Sequence, residues 1–211
     1  MRIFKILSLL LAYPDLQLQE AAADITLLLR ETTALPSNIA PRLAALAERI
    51  AKDDLLDTQE LYVKLFDQTR SLSLYLFEHV HGESRDRGQA MVDLRTQYED
   101  HGLEMQPGEL PDFLPLFLEF LDVVGDNEAR GLLDEISPIA RSLAGRLAKR
   151  KSDYAAVFDA IIALAPQIAP DITSASPEDE PADVRDANWA ESPVQFTASS
   201  IPIVPCAGGQ S

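Results

Sequence analysis

The sequence predicts an all-α fold, and two patterns in its 211 residues support this class. The first is that residues 1–81 contain no glycine, whereas all nine glycines lie from Gly82 onward. A stretch without glycine has few of the tight turns that β-hairpins need. The second is that apolar residues recur at helical spacing, and no stretch alternates with the period of two that strands show. We therefore expect a single-domain helical bundle of about eight or nine helices.

The first predicted helix lies in an opening that also resembles a secretory signal. Met1–Lys5 is charged and Ile6–Ala12 is apolar, as in a signal peptide. The apolar run stops at Tyr13–Asp15, however, and helical spacing then continues with Leu16, Ile25, Leu28 and Leu29. We interpret the opening as a packed amphipathic helix. No later stretch approaches the ~20 apolar residues of a membrane span, so we expect a cytoplasmic protein without direct membrane insertion.

The next three helices are predicted from their stripes and caps. After Pro41, a helix is indicated by the stripe Leu43, Leu46, Ala47 and Ile50. Asp57 is predicted to cap the following helix, because Glu60 comes three positions later. Ser84 is predicted to cap a helix that Gly102 ends.

Proline and polar residues mark the last helices of the bundle. Pro111 suits the first turn of a helix that ends near Gly125. Asp126 is expected to begin a further helix, which Pro138 bends or restarts because proline lacks the backbone N–H. Ser152 is expected to open the last helix.

A change of composition divides the chain after residue 165. Residues 166–211 hold half of the fourteen prolines, and seven acidic residues against one arginine give them −6 of the net charge of −16. We expect residues 1–165 to form the helical domain and 166–211 an extended acidic tail. Within the tail, Trp189–Phe196 is an aromatic island, which is either a clasp on the protein's own core or a docking motif for a partner.

The charge and the single cysteine exclude several classes of function. A net charge of −16 argues against binding to nucleic acid, which needs a basic patch, and against an anionic membrane surface. A basic partner is the natural complement. Cys206 is the only cysteine, so the chain can form no internal disulfide and no cysteine-based metal cage.

The richest group of ionisable side chains lies in Leu74–Met91. One hypothesis is a metal-dependent hydrolase with the ligands His79, His81, Glu83 and Asp86. Against this hypothesis, the two rings of a His-x-His pair point about 200° apart in a helix. The templates of nucleophilic catalysis and of phosphate-binding glycine loops are also missing from the sequence.

The alternative for the same segment is a polar helix junction. In that interpretation His79 hydrogen-bonds a buried helix end, and ion pairs form among Glu78, Arg85, Asp86 and Arg87. Buried polar networks are costly unless they are satisfied, so such a cluster often marks a site.

A second cluster lies in Gly108–Leu121. Its acidic residues could simply stabilise the positive end of a helix. Alternatively, Glu109, Asp112 and Glu119 could form the acidic rim of an apolar groove. We favour the groove, which would hold a basic amphipathic helix.

Three segments of the chain resemble a known family. They are Tyr62–Asp67 (YVKLFD), Ser73–Met91 (SLYLFEHVHGESRDRGQAM) and Glu109–Pro115 (ELPDFLP). They resemble the NarJ-type assembly chaperones of respiratory nitrate reductase, also called the nitrate reductase delta subunit family. The similarity runs from about Met1 to Leu164, and Trp189–Phe196 resembles the C-terminal patch of the family.

The resemblance implies a helical chaperone that is not an enzyme and holds no permanent cofactor. Such a protein binds the apo catalytic subunit of nitrate reductase, including its basic N-terminal peptide. It does so while the molybdenum cofactor and an iron–sulfur cluster are inserted, before the enzyme docks on the membrane. The related TorD-like families leave a different molybdoenzyme as the alternative client.

Together, the residues and the resemblance predict a partner-binding groove. Apolar contact is assigned to Phe66, Tyr75, Phe77 and Phe113. Attraction of the basic client is assigned to Glu78, Glu109 and Asp112. We expect three further side chains to hold the shape of the groove, or to respond to pH near the usual histidine pKa of roughly 6.5. They are His79, Arg85 and Arg87.

Overall fold

The computed structural model describes residues 3–80 and 86–165. These residues form nine α-helices: α1 (Ile3–Leu11), α2 (Leu16–Glu31), α3 (Ala40–Lys52), α4 (Leu55–Tyr62), α5 (Leu76–Val80), α6 (Asp86–Asp100), α7 (Leu114–Val123), α8 (Asp126–Lys149) and α9 (Ala155–Leu164). A π-helical turn, Val63–Asp67, continues α4, and a 3-10 turn follows at Arg70–Leu72. The prediction of an all-α bundle is confirmed. The predicted tail, its island and the cap at Ser84 lie outside the described residues.

The first three helices bury the apolar stripes that the sequence indicates. In α1, Ile6, Leu7, Leu10 and Leu11 are buried, and the stripe of α3 from Leu43 to Ile50 is buried as predicted. In α2, Ile25 and Leu29 are buried, whereas Leu16 is 64% exposed and Leu28 39% exposed. The break between α1 and α2 is fixed by Asp15, whose Oδ1 accepts a hydrogen bond of 2.7 Å from the Leu18 N–H.

The predicted start of α4 is wrong by three residues. Asp54, not Asp57, caps this helix, because its Oδ1 accepts from the backbone N–H groups of Leu56 at 2.9 Å and Asp57 at 3.3 Å. Asp54 has the extended ψ of 136° that an N-cap requires, while Asp57 already lies in the first helical turn.

The start of α7 also differs from the prediction. The helix begins at Leu114 with Pro115 in its first turn, and Pro111 precedes it. Phe113 has an extended backbone, with ψ 116°, because it pairs with Tyr75 in an isolated antiparallel β-bridge. A residue held in that pairing cannot also be helical.

The end of the bundle tests the predictions for Pro138 and Ser152. α8 is one helix from Asp126 to Lys149, so it does not restart at Pro138, and the bend that the sequence also allowed there stays a prediction. It ends next to Lys151, whose φ of 56° is left-handed. α9 then begins at Ala155, because Ser152 belongs to the preceding turn and its carbonyl accepts from the Ala155 N–H at 3.1 Å.

The helices of the bundle pack against one another in pairs. The pairs α2 with α3, α8 with α9 and α1 with α7 make the most extensive contacts. α6 ends as predicted at Gly102, which has a φ of 76°, and the Leu103 N–H donates to the Tyr98 carbonyl at 2.9 Å. This geometry is a Schellman cap. None of the described helices is long and apolar enough to cross a membrane.

Candidate functional site

A backbone bridge joins the two polar clusters that the sequence analysis treated separately. The Leu76 N–H donates to the Asp112 carbonyl at 2.9 Å, and the Leu114 N–H donates to the Leu74 carbonyl at 2.9 Å. Between these bonds, the rings of Tyr75 and Phe113 lie 5.3 Å apart. We use "the junction" for the side chains gathered here: Tyr75, Phe77, Glu78, Arg87, Asp112 and Phe113.

Asp112 is the buried carboxylate of the junction. Its side chain is fully buried, and its Oδ2 accepts a hydrogen bond of 3.1 Å from the Phe77 N–H, in the first turn of α5. Oδ1 has no hydrogen-bond partner in the described part of the chain. Burial raises the pKa of Asp112 above its ordinary value, while the Phe77 N–H and the Arg87 charge act against that rise.

Arg87 reaches towards two carboxylates without touching either. Its Nη2 lies 3.9 Å from Glu78 Oε1 and 4.0 Å from Asp112 Oδ2. Both distances exceed the length of a hydrogen bond. The side chains of Arg87 and Glu78 remain partly exposed, at 28% and 27%. Acidic groups also surround Tyr75, whose pKa is raised by burial and then by the carboxylates of Asp112, Asp67 and Glu78.

His79 lies beneath the junction and connects α5 to the preceding loop. Its Nε2 donates to the Ser73 carbonyl at 2.8 Å. Burial lowers the pKa of His79 below 6.5, and the Arg146 charge adds to this, while the Ser73 hydrogen bond and Glu78 oppose it. The His79 pKa is thus held below the ordinary histidine value near which a response to pH was expected, and the role of His79 in the groove stays a prediction. The hydrogen bond agrees with the interpretation of this segment as a polar helix junction.

Other predicted site residues lie in different surroundings. Phe66 is 5% exposed and packs in an aromatic cluster, with ring centroids 5.0 Å from Tyr62 and 5.1 Å from Tyr154. Glu109 is exposed, and its Oε2 accepts from the Gln106 N–H at 2.9 Å. Arg85 lies outside the described residues. The roles of these side chains in partner binding stay predictions.

Glu119 faces α1 rather than the junction. Its Oε1 lies 2.7 Å from Lys5 Nζ and 3.3 Å from Ser8 Oγ, both of which donate to it. This carboxylate therefore connects α7 to α1 and does not form part of an acidic rim around Asp112.

Tyr98 supports the junction, although the sequence did not indicate this role. It is fully buried on α6, its hydroxyl donates to the Pro111 carbonyl at 2.7 Å, and its ring lies 4.6 Å from Phe120. It thereby fixes the turn that carries Asp112. A buried tyrosine hydroxyl usually forms a hydrogen bond, but the sequence does not show that the acceptor is the carbonyl of Pro111.

A separate cleft of about 460 Å³ lies between α3, α4 and the turn from α8 to α9. Its apolar lining includes Leu46, Ile50, Leu61, Leu65 and Tyr154. Its charged lining comprises Arg49, Asp53, Asp54, Asp57, Arg150, Lys151 and Asp153. Sequence reasoning missed this cleft, because it is formed by elements more than 80 positions apart along the chain.

The predicted metal ligands are described only in part. His81 and Glu83 lie outside the described residues, and Asp86 is exposed at the start of α6. Among residues 3–80 and 86–165, no group of three or more His, Cys, Asp or Glu side chains is arranged to hold a metal ion.

Comparison with known proteins decides the family. The sequence model described as "Nitrate reductase delta subunit" matches residues 32–160. The chain belongs to this family. The nitrate reductase molybdenum cofactor assembly chaperone NarJ of Escherichia coli strain K12 is 43% identical over 199 residues, which cover 92% of this chain and 84% of the relative.

Two further relatives carry related names. The probable nitrate reductase molybdenum cofactor assembly chaperone NarW of Escherichia coli strain K12 is 42% identical over 201 residues, covering 93% of this chain and 84% of the relative. The probable chaperone of the same description, NarJ of Bacillus subtilis strain 168, is 32% identical over 160 residues, covering 76% and 86%. These names confirm the family resemblance. They describe a class of chaperones rather than enzymes, which favours the chaperone over the metal-dependent hydrolase.

Proposed function

We propose that this chain is a cytoplasmic assembly chaperone that binds the apo catalytic subunit of a respiratory nitrate reductase. It binds the basic N-terminal peptide of that subunit and keeps the subunit open while the molybdenum cofactor and an iron–sulfur cluster are inserted, before membrane docking. The family membership and the names of the relatives support the class of function. The junction is the observation that supports the mode of binding.

The junction combines the two properties that a basic amphipathic partner needs. Tyr75, Phe77 and Phe113 are partly exposed, so they offer apolar surface. Glu78 and Asp112 supply two carboxylates against the single positive charge of Arg87. Apolar contact supplies affinity, while the excess of negative charge attracts a basic segment at long range.

Glu109, Phe66 and Arg85 are retained as predicted contributors. Glu109 is exposed three positions before the buried Asp112, where it can add to the attraction of a basic peptide. Phe66 lies behind the surface in its aromatic cluster, so a contact with the client would require this cluster to open.

Binding of a synthetic peptide tests this function. The peptide has the sequence of the basic N-terminal segment of the nitrate reductase catalytic subunit, and the heat of binding is measured at about 50 and 300 mM salt. We expect binding at both levels, weaker at the higher one because the charge is screened. Absence of binding at both levels would contradict the proposal.

A pair of variants localises the binding. Phe113→Leu removes an aromatic ring from the junction and is expected to weaken binding about fivefold to tenfold, which is the cost of losing a moderate hot spot. Val123→Ala, at an exposed position at the C-terminal end of α7, the helix that Phe113 precedes, is the matched control and should bind like the wild type. Equal affinities of the two variants would place the peptide elsewhere. Purification of the chain from cells with its bound client distinguishes nitrate reductase from another molybdoenzyme.

A further inference from the structure

The ion pairs of the junction are incomplete. Arg87 Nη2 lies 3.9 Å from Glu78 and 4.0 Å from Asp112, and its guanidinium donates no hydrogen bond within the described part of the chain. Asp112 Oδ1 is buried and accepts no hydrogen bond there either. An arginine beside two carboxylates ordinarily forms short, often bidentate bonds. Among residues 3–80 and 86–165, the hydrogen-bonding capacity of Asp112 is thus partly unused.

We propose that Glu78 and Asp112 form a cation site that Arg87 occupies in the free chaperone, and that a lysine or arginine side chain of the client displaces Arg87 on binding. This inference rests on the proposed function, because the client supplies the cation. Arg87 then acts as a weak internal competitor, which lowers the apparent affinity for the client.

Three features of the junction favour displacement of Arg87. Asp112 has no exposed surface, whereas Arg87 is 28% exposed and lies against both carboxylates. Of these two side chains, Arg87 is therefore the one that solvent reaches. Two guanidinium groups within a few ångströms would repel each other. Arg87 is also the second residue of α6 and has a long side chain, so it can turn towards solvent without unwinding the helix.

The neighbouring rings suit an incoming cation. Tyr75 and Phe113 lie beside the carboxylates with their rings 5.3 Å apart. Aromatic faces hold the apolar stem of lysine or arginine and attract its charge. The site has two carboxylates against one arginine, and this excess of negative charge favours a cation over an anion as its ligand.

The test compares three full-length proteins for binding of the basic peptide described above: wild type, Arg87→Gln and Arg95→Gln. Arg95 is exposed on the same helix, where it pairs with Glu99, so both variants lose one positive charge from α6. While Arg87 occupies the acidic pair, only the remaining fraction of the molecules can bind the peptide. Removing Arg87 therefore raises the apparent affinity by the inverse of that fraction. We expect Arg87→Gln to bind the peptide about fivefold to tenfold tighter and Arg95→Gln to bind like the wild type. Unchanged or weaker binding by Arg87→Gln overturns the inference.

A second comparison shows that the gain acts through the acidic pair. The double variant Arg87→Gln/Asp112→Asn should lose the gain, as should a peptide whose basic residues are replaced by glutamine. If Arg87→Gln fails to fold by circular dichroism, Arg87→Lys takes its place, since a shorter cation competes less well and should give a smaller gain. A gain that persists in the double variant overturns the inference.

The outcomes also separate this inference from the proposed function. If wild type and Arg87→Gln bind the peptide equally, the chaperone still binds its client and only the displacement of Arg87 is refuted. If no protein in the series binds the peptide, both proposals are refuted.

Discussion

The pKa values of two titratable side chains, Asp112 and His79, are shifted in opposite directions. The pKa of Asp112 is raised and that of His79 is lowered. Both shifts arise mainly from burial, which disfavours the charged form of each group. Each group is also held in place by the backbone: Asp112 accepts from the Phe77 N–H, and His79 donates to the Ser73 carbonyl. Their titration therefore reports on the folded junction.

The stability of the Asp112→Asn variant, relative to the wild type, is expected to increase as the pH rises. The pKa of Asp112 in the folded chain lies above its unfolded value of 3.8, so the folded state holds this proton more tightly. Wild-type stability therefore falls, relative to the variant, as the pH rises through the interval between the two values. Urea unfolding from pH 3.5 upward measures this difference, with Asp24→Asn on the exposed face of α2 as the control for losing a carboxylate. A constant difference across pH would contradict the shift.

His79→Gln is expected to make stability less sensitive to acid. The pKa of His79 in the folded chain lies below 6.5, so the wild type loses stability relative to the variant as the pH falls below that value. The charged groups facing His79 are Arg146, which strengthens this effect, and Glu78, which weakens it. Urea unfolding between about pH 7.5 and 5 covers this interval.

His101→Gln is the control of opposite sign. The Gln97 carbonyl and then Glu128 raise the pKa of His101, so its contribution is present below pH 6.5 and is lost as the pH rises through the folded value. The wild type should therefore gain stability relative to His101→Gln on acidification. The same trend in both variants would contradict the assignment of His79.

Among the elements, the positions of helix ends depend on single caps and on contacts with distant segments. α4 begins at Asp54 because this carboxylate accepts from two backbone N–H groups. α7 begins at Leu114 because the bridge to Tyr75 holds Phe113 extended. The first cause is local, whereas the second requires the three-dimensional fold.

Asp54→Ala is expected to cost about 1 kcal/mol of unfolding free energy, since it removes the N-cap of α4. Asp57→Ala is the matched comparison, because Asp57 is the cap that the sequence pattern suggested. That variant should change stability by about 0.3 kcal/mol or less, as alanine's helix propensity offsets the lost attraction to the helix dipole. Chemical denaturation of both variants measures the difference. Equal losses would mean that Asp54 does not act as the cap.

The same elements show how far the sequence could predict the structure. The stripe of α3 and the Gly102 end of α6 follow local rules, and both predictions are confirmed. The association of Tyr75 with Phe113 could not be predicted in this way, because the two residues are 38 positions apart and their bridge leaves no period-two pattern. The sequence indicated both halves of the junction. Only the fold places Asp112 next to Phe77 and Arg87.

At the scale of the whole molecule, the net charge of −16 comes from acidic side chains spread along the chain. These side chains help to bind a basic amphipathic partner only where they lie near exposed apolar surface. Among the described residues, this condition is met at the junction and at the cleft between α3, α4 and the turn from α8 to α9, which differ in their charges. The cleft carries basic side chains beside its acidic ones, including Arg150 and Lys151, whereas the junction has one arginine against two carboxylates. Arg49 pairs closely with Asp53 and Asp153 in the cleft, whereas Arg87 lies 3.9 Å from Glu78 and 4.0 Å from Asp112, so the less completely paired carboxylates of the junction are the better match for the proposed basic client.

The central claim is that the client peptide binds at the junction, and a nuclear magnetic resonance titration tests it most directly. The basic peptide is added to the isotope-labelled chain, and shifts of the backbone amide signals are followed residue by residue. If the peptide binds at the junction, the largest shifts lie in two stretches, Tyr75–His79 and Asp112–Leu114, together with Arg87. Shifts confined to the lining of the cleft, at Asp53, Asp54 and Lys151, would contradict it.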